Sequence, residues 1–200
     1  KNNFSDLFEY KMKSKLIYYS WLFSLILIIS SCKQRTLSAE EYIQYCNNPE
    51  NKLIVQEVTD SFEYFLQYRS PEFMAIMEMG KSVNQFKLTS LINEYQGLEY
   101  YTLKIKNKNA TSLEKIDMNY MAFEFQQSIR MVSLDSIEPA MFQFENSQGI
   151  NPYYTFSIAF DIVTDSLHER SIRVDHFKND KPVLFTIPIQ TIRNLPKLKV

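Results

Sequence analysis

The stretch from Phe156 to Ile162 constrains this chain more than any other, because Phe156, Ile158, Phe160 and Ile162 alternate with Ser157, Ala159 and Asp161. Successive side chains of an extended strand point to opposite faces, so period two sorts the large apolar groups onto one buried side. A helix would scatter the same residues around its circumference. The alternation recurs. Tyr101, Leu103 and Ile105 alternate with Thr102, Lys104 and Lys106, and Ala140, Phe142 and Phe144 alternate with Met141, Gln143 and Glu145. Phe123 and Phe125 against Glu124 and Gln126 read as a further strand, with a helix as the other possibility. Ile172 and Val174, then Val183, Phe185 and Ile187, complete the set. Three glycines against 15 Phe and 13 Tyr point the same way, to a packed, strand-rich body and not a linker.

The earlier part of the chain adds helices. Ser38 with Glu41 three residues on forms a capping-box pattern, predicting a short helix from Ala39 to Cys46 that stops at Asn47-Asn48-Pro49. Leu53–Val58 and Phe62–Tyr68 predict a hairpin around Thr59-Asp60-Ser61. Its second strand carries Phe62, Tyr64, Leu66 and Tyr68 on one face, and Phe65 among Glu63, Gln67 and Arg69 on the other. Ser70-Pro71-Glu72 predicts a helix start, with its end near Gly80. Leu88, Leu91, Ile92 and Tyr95 mark the apolar stripe of a second helix, and Gly97 takes the place of a left-handed cap. The expected fold class is α+β: one domain over residues 40–200, rich in antiparallel strands as a sandwich-like or strongly curved sheet, with an N-terminal hairpin and two helices. The tail Leu195–Val200 is expected to cover an edge.

The N-terminal region obeys another logic. Lys11, Lys13 and Lys15 precede Leu16 to Ile29, fourteen residues without a charge. A bilayer core needs roughly 20 helical residues, so the run suits the apolar segment of a signal peptide, over residues 1–31, better than a membrane span or a core helix. Met12 would open a signal of conventional length, which places residues 1–11 before the start codon.

Ile29-Ser30-Ser31-Cys32 resembles a lipobox, with an aliphatic residue three before the cysteine and small residues between. The resemblance, to bacterial lipoproteins, implies cleavage between Ser31 and Cys32, a diacylglyceryl thioether on Cys32, and a lipidated tether over residues 32–39. Two or three acyl chains at about 0.8 kcal/mol per buried methylene hold a protein to a membrane where one chain binds only reversibly. Tyr42, Asn48-Pro49-Glu50-Asn51 and the hairpin are similar to uncharacterised lipoproteins of the Bacteroidetes type, as is Phe144-Glu145-Asn146-Ser147 followed by Gly149 and Pro152. In that group acidic residues directly after the cysteine mark surface export. Lys33, Gln34 and Arg35 stand there instead, which implies the periplasm-facing leaflet of the outer membrane.

Chemistry is sparse. Four of the 22 basic and two of the 23 acidic side chains precede Cys32, which leaves a slightly acidic mature chain without the clustered basic surface of a nucleic-acid binder. Cys46 has no second cysteine to pair with after lipidation, so the core must supply stability. Ala75–Ser82 (AIMEMGKS) fits a relaxed phosphate-loop pattern, but on a segment that reads as helical and with Glu78 in the cradle. His168 and His176 lack zinc-ligand spacing. Ser112-Leu113-Glu114-Lys115 fits a serine–lysine pattern without companion motifs. Asp135-Ser136-Ile137 and Asp165-Ser166-Leu167 look like short O-glycosylation sites of the Bacteroidetes type, and equally like turn pairs. Glu57, Glu63 and Glu99 lie on or beside strands as candidate paired carboxylates. Tyr100-Tyr101 and Tyr153-Tyr154 each place one ring toward the core and one on the opposite face, where it stacks in the sheet or meets a sugar or partner. The expectation is a non-enzymatic envelope lipoprotein with a binding or assembly role and no cofactor, metal or catalytic residue. A glycan-binding or glycan-processing protein is the alternative.

Overall fold

Antiparallel alternation decides the architecture. The computed structural model describes residues 35–80, 84–109, 117–132, 136–145, 152–162, 169–175, 177 and 180–199. Five strands, β2 (Ile54–Val58), β3 (Phe62–Arg69), β4 (Leu98–Asn107), β7 (Met141–Glu145) and β8 (Tyr153–Asp161), form one sheet in the order β2-β3-β4-β8-β7. Four more, β5 (Ile129–Val132), β6 (Ser136–Ile137), β9 (Arg170–Val174) and β10 (Val183–Ile187), form a second in the order β10-β9-β5-β6. Every pairing in both sheets is antiparallel.

The buried faces of the two sheets meet. Tyr64, Leu103, Ile105, Phe156, Ile158 and Phe160 come from the first sheet, and Ile129, Met131, Ile172, Val174, Phe185 and Ile187 from the second; all join one buried cluster. Phe125 sits at its centre, with ring centroids 4.9 Å from Phe156, 4.9 Å from Phe177 and 6.2 Å from Phe142. Tyr64 meets Phe185 at 6.5 Å across the layer. The fold is thus α+β, with its antiparallel strands stacked as a sandwich.

The helices gather at one end of the five-stranded sheet. Helix α1 (Ala39–Asn47) opens with the full capping box: the Glu41 backbone N–H donates to Ser38 Oγ and the Ser38 N–H donates to the Glu41 carboxylate. Helix α2 (Pro71–Met79) follows β3 directly, starts at the Ser70 cap, and stops at Gly80, whose φ of 63° suits a residue without Cβ. Helix α3 (Gln85–Tyr95) leads back into β4. The cation of Arg69 lies 4.4 Å over the Phe73 ring of α2, and Tyr95 of α3 packs edge-on against Tyr100 at 5.3 Å. A fourth helix, α4 (Ile189–Arg193), is one turn long and follows Pro188. No helix among the described residues is long and apolar enough to cross a membrane.

Three expectations change. Phe123 and Phe125 lie in a π-helical turn, Tyr120–Glu124, running into a 3-10 turn, Phe125–Ser128, and not in a strand. Helical geometry separates two such residues by about 200°, so Phe125 is fully buried while Phe123 is 68% exposed. Gly97 is not the cap of α3; Gln96 is, in an extended conformation, and Gly97 follows at φ 142° in the turn to β4. The folded unit begins at Thr36, inside the span read as tether, because β1 (Thr36–Leu37) pairs in parallel with β11 (Lys197–Leu198) and Leu37 is buried. The three helices expected from Ser38, Ser70 and the Leu88 stripe all form, and α4 joins them.

Candidate ligand groove on the outer sheet face

Period two that buries one face of β2, β3, β4 and β8 turns the alternate residues outward. Register then aligns them in rows across the sheet. Ile54, Gln67, Thr102 and Ser157 form one row; Gln56, Phe65, Lys104 and Thr155 form the next; Glu63, Lys106 and Tyr153 form a third. At the helix end Arg69, Phe73, Tyr95 and Tyr100 cover this face. Beyond them lies a groove of about 220 Å³ lined by Ile54, Phe65, Gln67, Thr102, Lys104 and Tyr153.

Each lining group has a defined state. Phe65 and Tyr153 meet edge to face, 5.9 Å apart at 81°. Gln67 is 9% exposed. Its Nε2 donates at 2.9 Å to the Cys46 carbonyl and at 3.0 Å to Asn47 Oδ1, which uses both amide hydrogens and fixes the rotamer. Its Oε1 meets no donor among the described residues. Arg69 Nε donates at 3.1 Å to Thr102 Oγ1, leaving the hydroxyl proton free to donate elsewhere. Burial beneath α1 and α2 pushes the Arg69 guanidinium below its ordinary pKa, against the upward pull of Cys46 and Glu145. Lys106 pairs with Glu63 at 3.9 Å, whereas Lys104 has no carboxylate partner among the described residues.

Two other polar clusters are structural in kind. Between the sheets, Arg170 Nε donates to Glu99 Oε1 at 2.8 Å and Oε2 at 3.0 Å, and the Tyr101 hydroxyl donates to Oε2 at 2.9 Å. Burial and the neighbouring Glu99 carboxylate hold the Tyr101 hydroxyl far above its usual pKa, so it stays a donor. At the opposite end Asp180 Oδ2 accepts from Thr59 Oγ1 at 2.5 Å and from Tyr64 at 2.7 Å. Burial pushes the buried thiol of Cys46 up to about 12, which leaves it protonated and inert.

The residues singled out from sequence fall as follows. Ser31 and Cys32 lie outside the described residues, as do His168, His176, Ser112 to Lys115, Asp135 and the pair Asp165-Ser166. Ser136 and Ile137 form β6. Ala75 to Met79 are helical, so the middle of the phosphate-loop pattern cannot cradle an anion with convergent N–H groups; Lys81 and Ser82 are outside the described residues. The three glutamates do not converge. Glu63 faces outward, while Glu57 and Glu99 share the inner face six residues of strand apart in register. At about 3.3 Å per residue that is roughly 20 Å, well beyond the roughly 5–9.5 Å between glycosidase carboxylates. Tyr101 and Tyr154 are core, Tyr100 is covered by Tyr95, and Tyr153 lines the groove. Sequence reasoning missed Gln67 and Lys104, whose roles depend on neighbours brought in by register and by α1.

No protein-family model and no curated protein matches this chain. Among solved structures, a novel protein of unknown function from Burkholderia pseudomallei is similar at a TM-score of 0.42 and 11% identity, over 80% of this chain and 94% of that chain. A likeness that loose lends neither a fold family nor an activity.

Proposed function

We propose that this chain is a lipid-anchored envelope lipoprotein, held through Cys32 at the periplasm-facing side of the outer membrane, whose sandwich domain binds a ligand without turning it over. The anchor rests on the basic, apolar and lipobox sequence ahead of residue 33. The binding role rests chiefly on one observation: a groove on the outer sheet face brings half-buried aromatic, cationic and polar side chains together. A glycan is the favoured ligand class over an envelope protein, because a groove of about 220 Å³ is smaller than the roughly 300–1,000 Å³ of drug-sized pockets and suits one ring-sized unit. The separation of Glu57, Glu63 and Glu99 speaks for glycan binding over glycan hydrolysis.

The two halves are tested separately. Intact-mass measurement of mature protein should show a diacylglyceryl adduct on Cys32, and Cys32→Ala should give an unprocessed or soluble species. A bare thiol on membrane-retained mature protein would dispose of the anchor. Assay of the full chain against a broad hydrolase panel should give no turnover. Reproducible turnover abolished by one point substitution would overturn the binding role.

A further inference from the structure

We infer that the β1–β11 corner of the domain docks on anionic phospholipid headgroups, with Lys197 and Lys199 as the cations that meet them. This rests on the proposed anchor at Cys32 and goes further by fixing which side of the folded body turns toward the bilayer.

Register makes the surface. β1 and β11 pair in parallel, Thr36 with Lys197 and Leu37 with Leu198. Leu37 is buried and Leu198 packs against the core. Alternation therefore turns Thr36 and Lys197 to the solvent side, where both are exposed. The Lys199 N–H continues the pairing by donating to the Leu37 carbonyl at 2.7 Å. That extension brings the exposed Lys199 side chain back to the side of Lys197. Two ammonium groups thus stand beside the residue at which the folded unit begins. Lys106, Arg130, Arg173 and Lys181 each meet a carboxylate, at between 2.7 and 3.9 Å, whereas Lys197 and Lys199 meet none among the described residues. The acids nearest in sequence to Thr36 are Glu40 and Glu41, which open α1, where the positive end of the helix offsets their charge. The Glu41 carboxylate also accepts from the Ser38 N–H and hydroxyl.

Chain length says what covers this surface. Cys32 precedes Thr36 by four peptide units, which reach about 14 Å at most, whatever their path. A diacylglyceryl group in the bilayer therefore keeps this corner close to the headgroups. The potential of an anionic leaflet decays over about 8 Å at physiological ionic strength, so it acts on groups held at the surface and spares the rest of the domain. The chain from Cys32 onward is slightly acidic. An anionic surface repels such a body as a whole and favours the orientation in which its unpaired cations lead. A protein partner would want an apolar, lysine-poor centre, and Thr36, Lys197 and Lys199 offer the reverse.

The test places the full lipidated chain in vesicles of phosphatidylcholine, alone or with about one-third phosphatidylglycerol. Amine acylation of each lysine is followed by peptide mass spectrometry, and the mass of the N-terminal peptide reports the lipid on Cys32. Lys197 and Lys199 should be acylated about fivefold more slowly on the anionic vesicles, the effect of one headgroup contact per lysine. The exposed Lys52 and Lys87, on other elements, should keep one rate on both. High salt should remove the difference. Hydrogen exchange of the β11 segment should slow on the same vesicles. Lys197→Gln with Lys199→Gln should lose that slowing, and Lys197→Arg with Lys199→Arg should keep it. The β1–β11 bonds are main-chain, so both double variants should keep the wild-type melting temperature. Equal acylation on the two vesicles, or slowing shared by every lysine, overturns the docking, and with the lipid mass present it leaves the anchor standing. A chain without that mass that floats with anionic vesicles alone keeps the docking and overturns the anchor. One that floats with neither overturns both.

Discussion

Side chains in this molecule are tuned by how many partners they serve. Ser38 and Ser70 both cap helices, but Ser38 is exposed whereas Ser70 is buried and also bonds the Tyr42 hydroxyl at 2.8 Å. Ser38→Ala should therefore cost about 1 kcal/mol, the ordinary worth of a cap. Ser70→Ala should cost about 2–3 kcal/mol, because it also strands a buried hydroxyl whose next partner, Glu72, is 3.5 Å away. Urea denaturation of the two variants side by side checks the ordering. Phe125→Ala, which empties the centre of the ring cluster, should cost about 3–5 kcal/mol by the same measurement. Asp180 carries a pH signature. Burial raises its pKa, but the hydrogen bonds from Thr59 and Tyr64 outweigh that and hold the carboxyl below its usual 3.8. A carboxylate depressed on folding stabilises at pH above the unfolded value and loses that contribution as pH falls through the folded one. Asp180→Asn should then flatten the acid limb of the stability curve below about pH 4, measured as melting temperature against pH. At this scale the caps were legible in the sequence, since Ser38 and Glu41 bond each other across only three residues. Asp180 was not, because Thr59 and Tyr64 reach it from over a hundred residues away.

The elements were readable where local pattern and tertiary demand agree. β3, β4, β7 and β8 follow their alternation closely, and α2 starts at the Ser-Pro-Glu signal. The segment around Phe123 failed because two rings spaced by two fit either geometry, and only the hole between the sheets decides which of them goes in. β5, β6 and α4 were missed outright, being two to five residues long and too short to carry a period. The outer groove is a hybrid: its rows follow from alternation, but which strands stand side by side is not written in any one of them. The link between the two sheets invites its own experiment. Glu99→Leu alone should destabilise by about 3–5 kcal/mol, since it leaves the Arg170 cation buried opposite an apolar group. Replacing both residues with leucine should restore much of that loss, as buried pairs are often matched by apolar isosteres. A double-mutant cycle gives the coupling directly, and additive losses would show that the pair is not coupled.

For the folded body as a whole, the antiparallel α+β layout was within reach of the sequence, because alternating runs joined by short polar turns leave few other arrangements. What remained hidden was how the chain closes. β1 and β11 lie side by side in parallel, Thr36 against Lys197 and Leu37 against Leu198, and the Lys199 N–H adds a further bond to the Leu37 carbonyl at 2.7 Å. Parallel strands tugged from the start of one and the finish of the other slide along their length and load every bond at once, instead of peeling open one at a time. On the proposed anchoring, tension from the membrane enters at Thr36, so this small clasp is the first part of the fold to bear it. Its rupture force, and not the strength of the core, then sets how hard the tether can be pulled before the body begins to unravel.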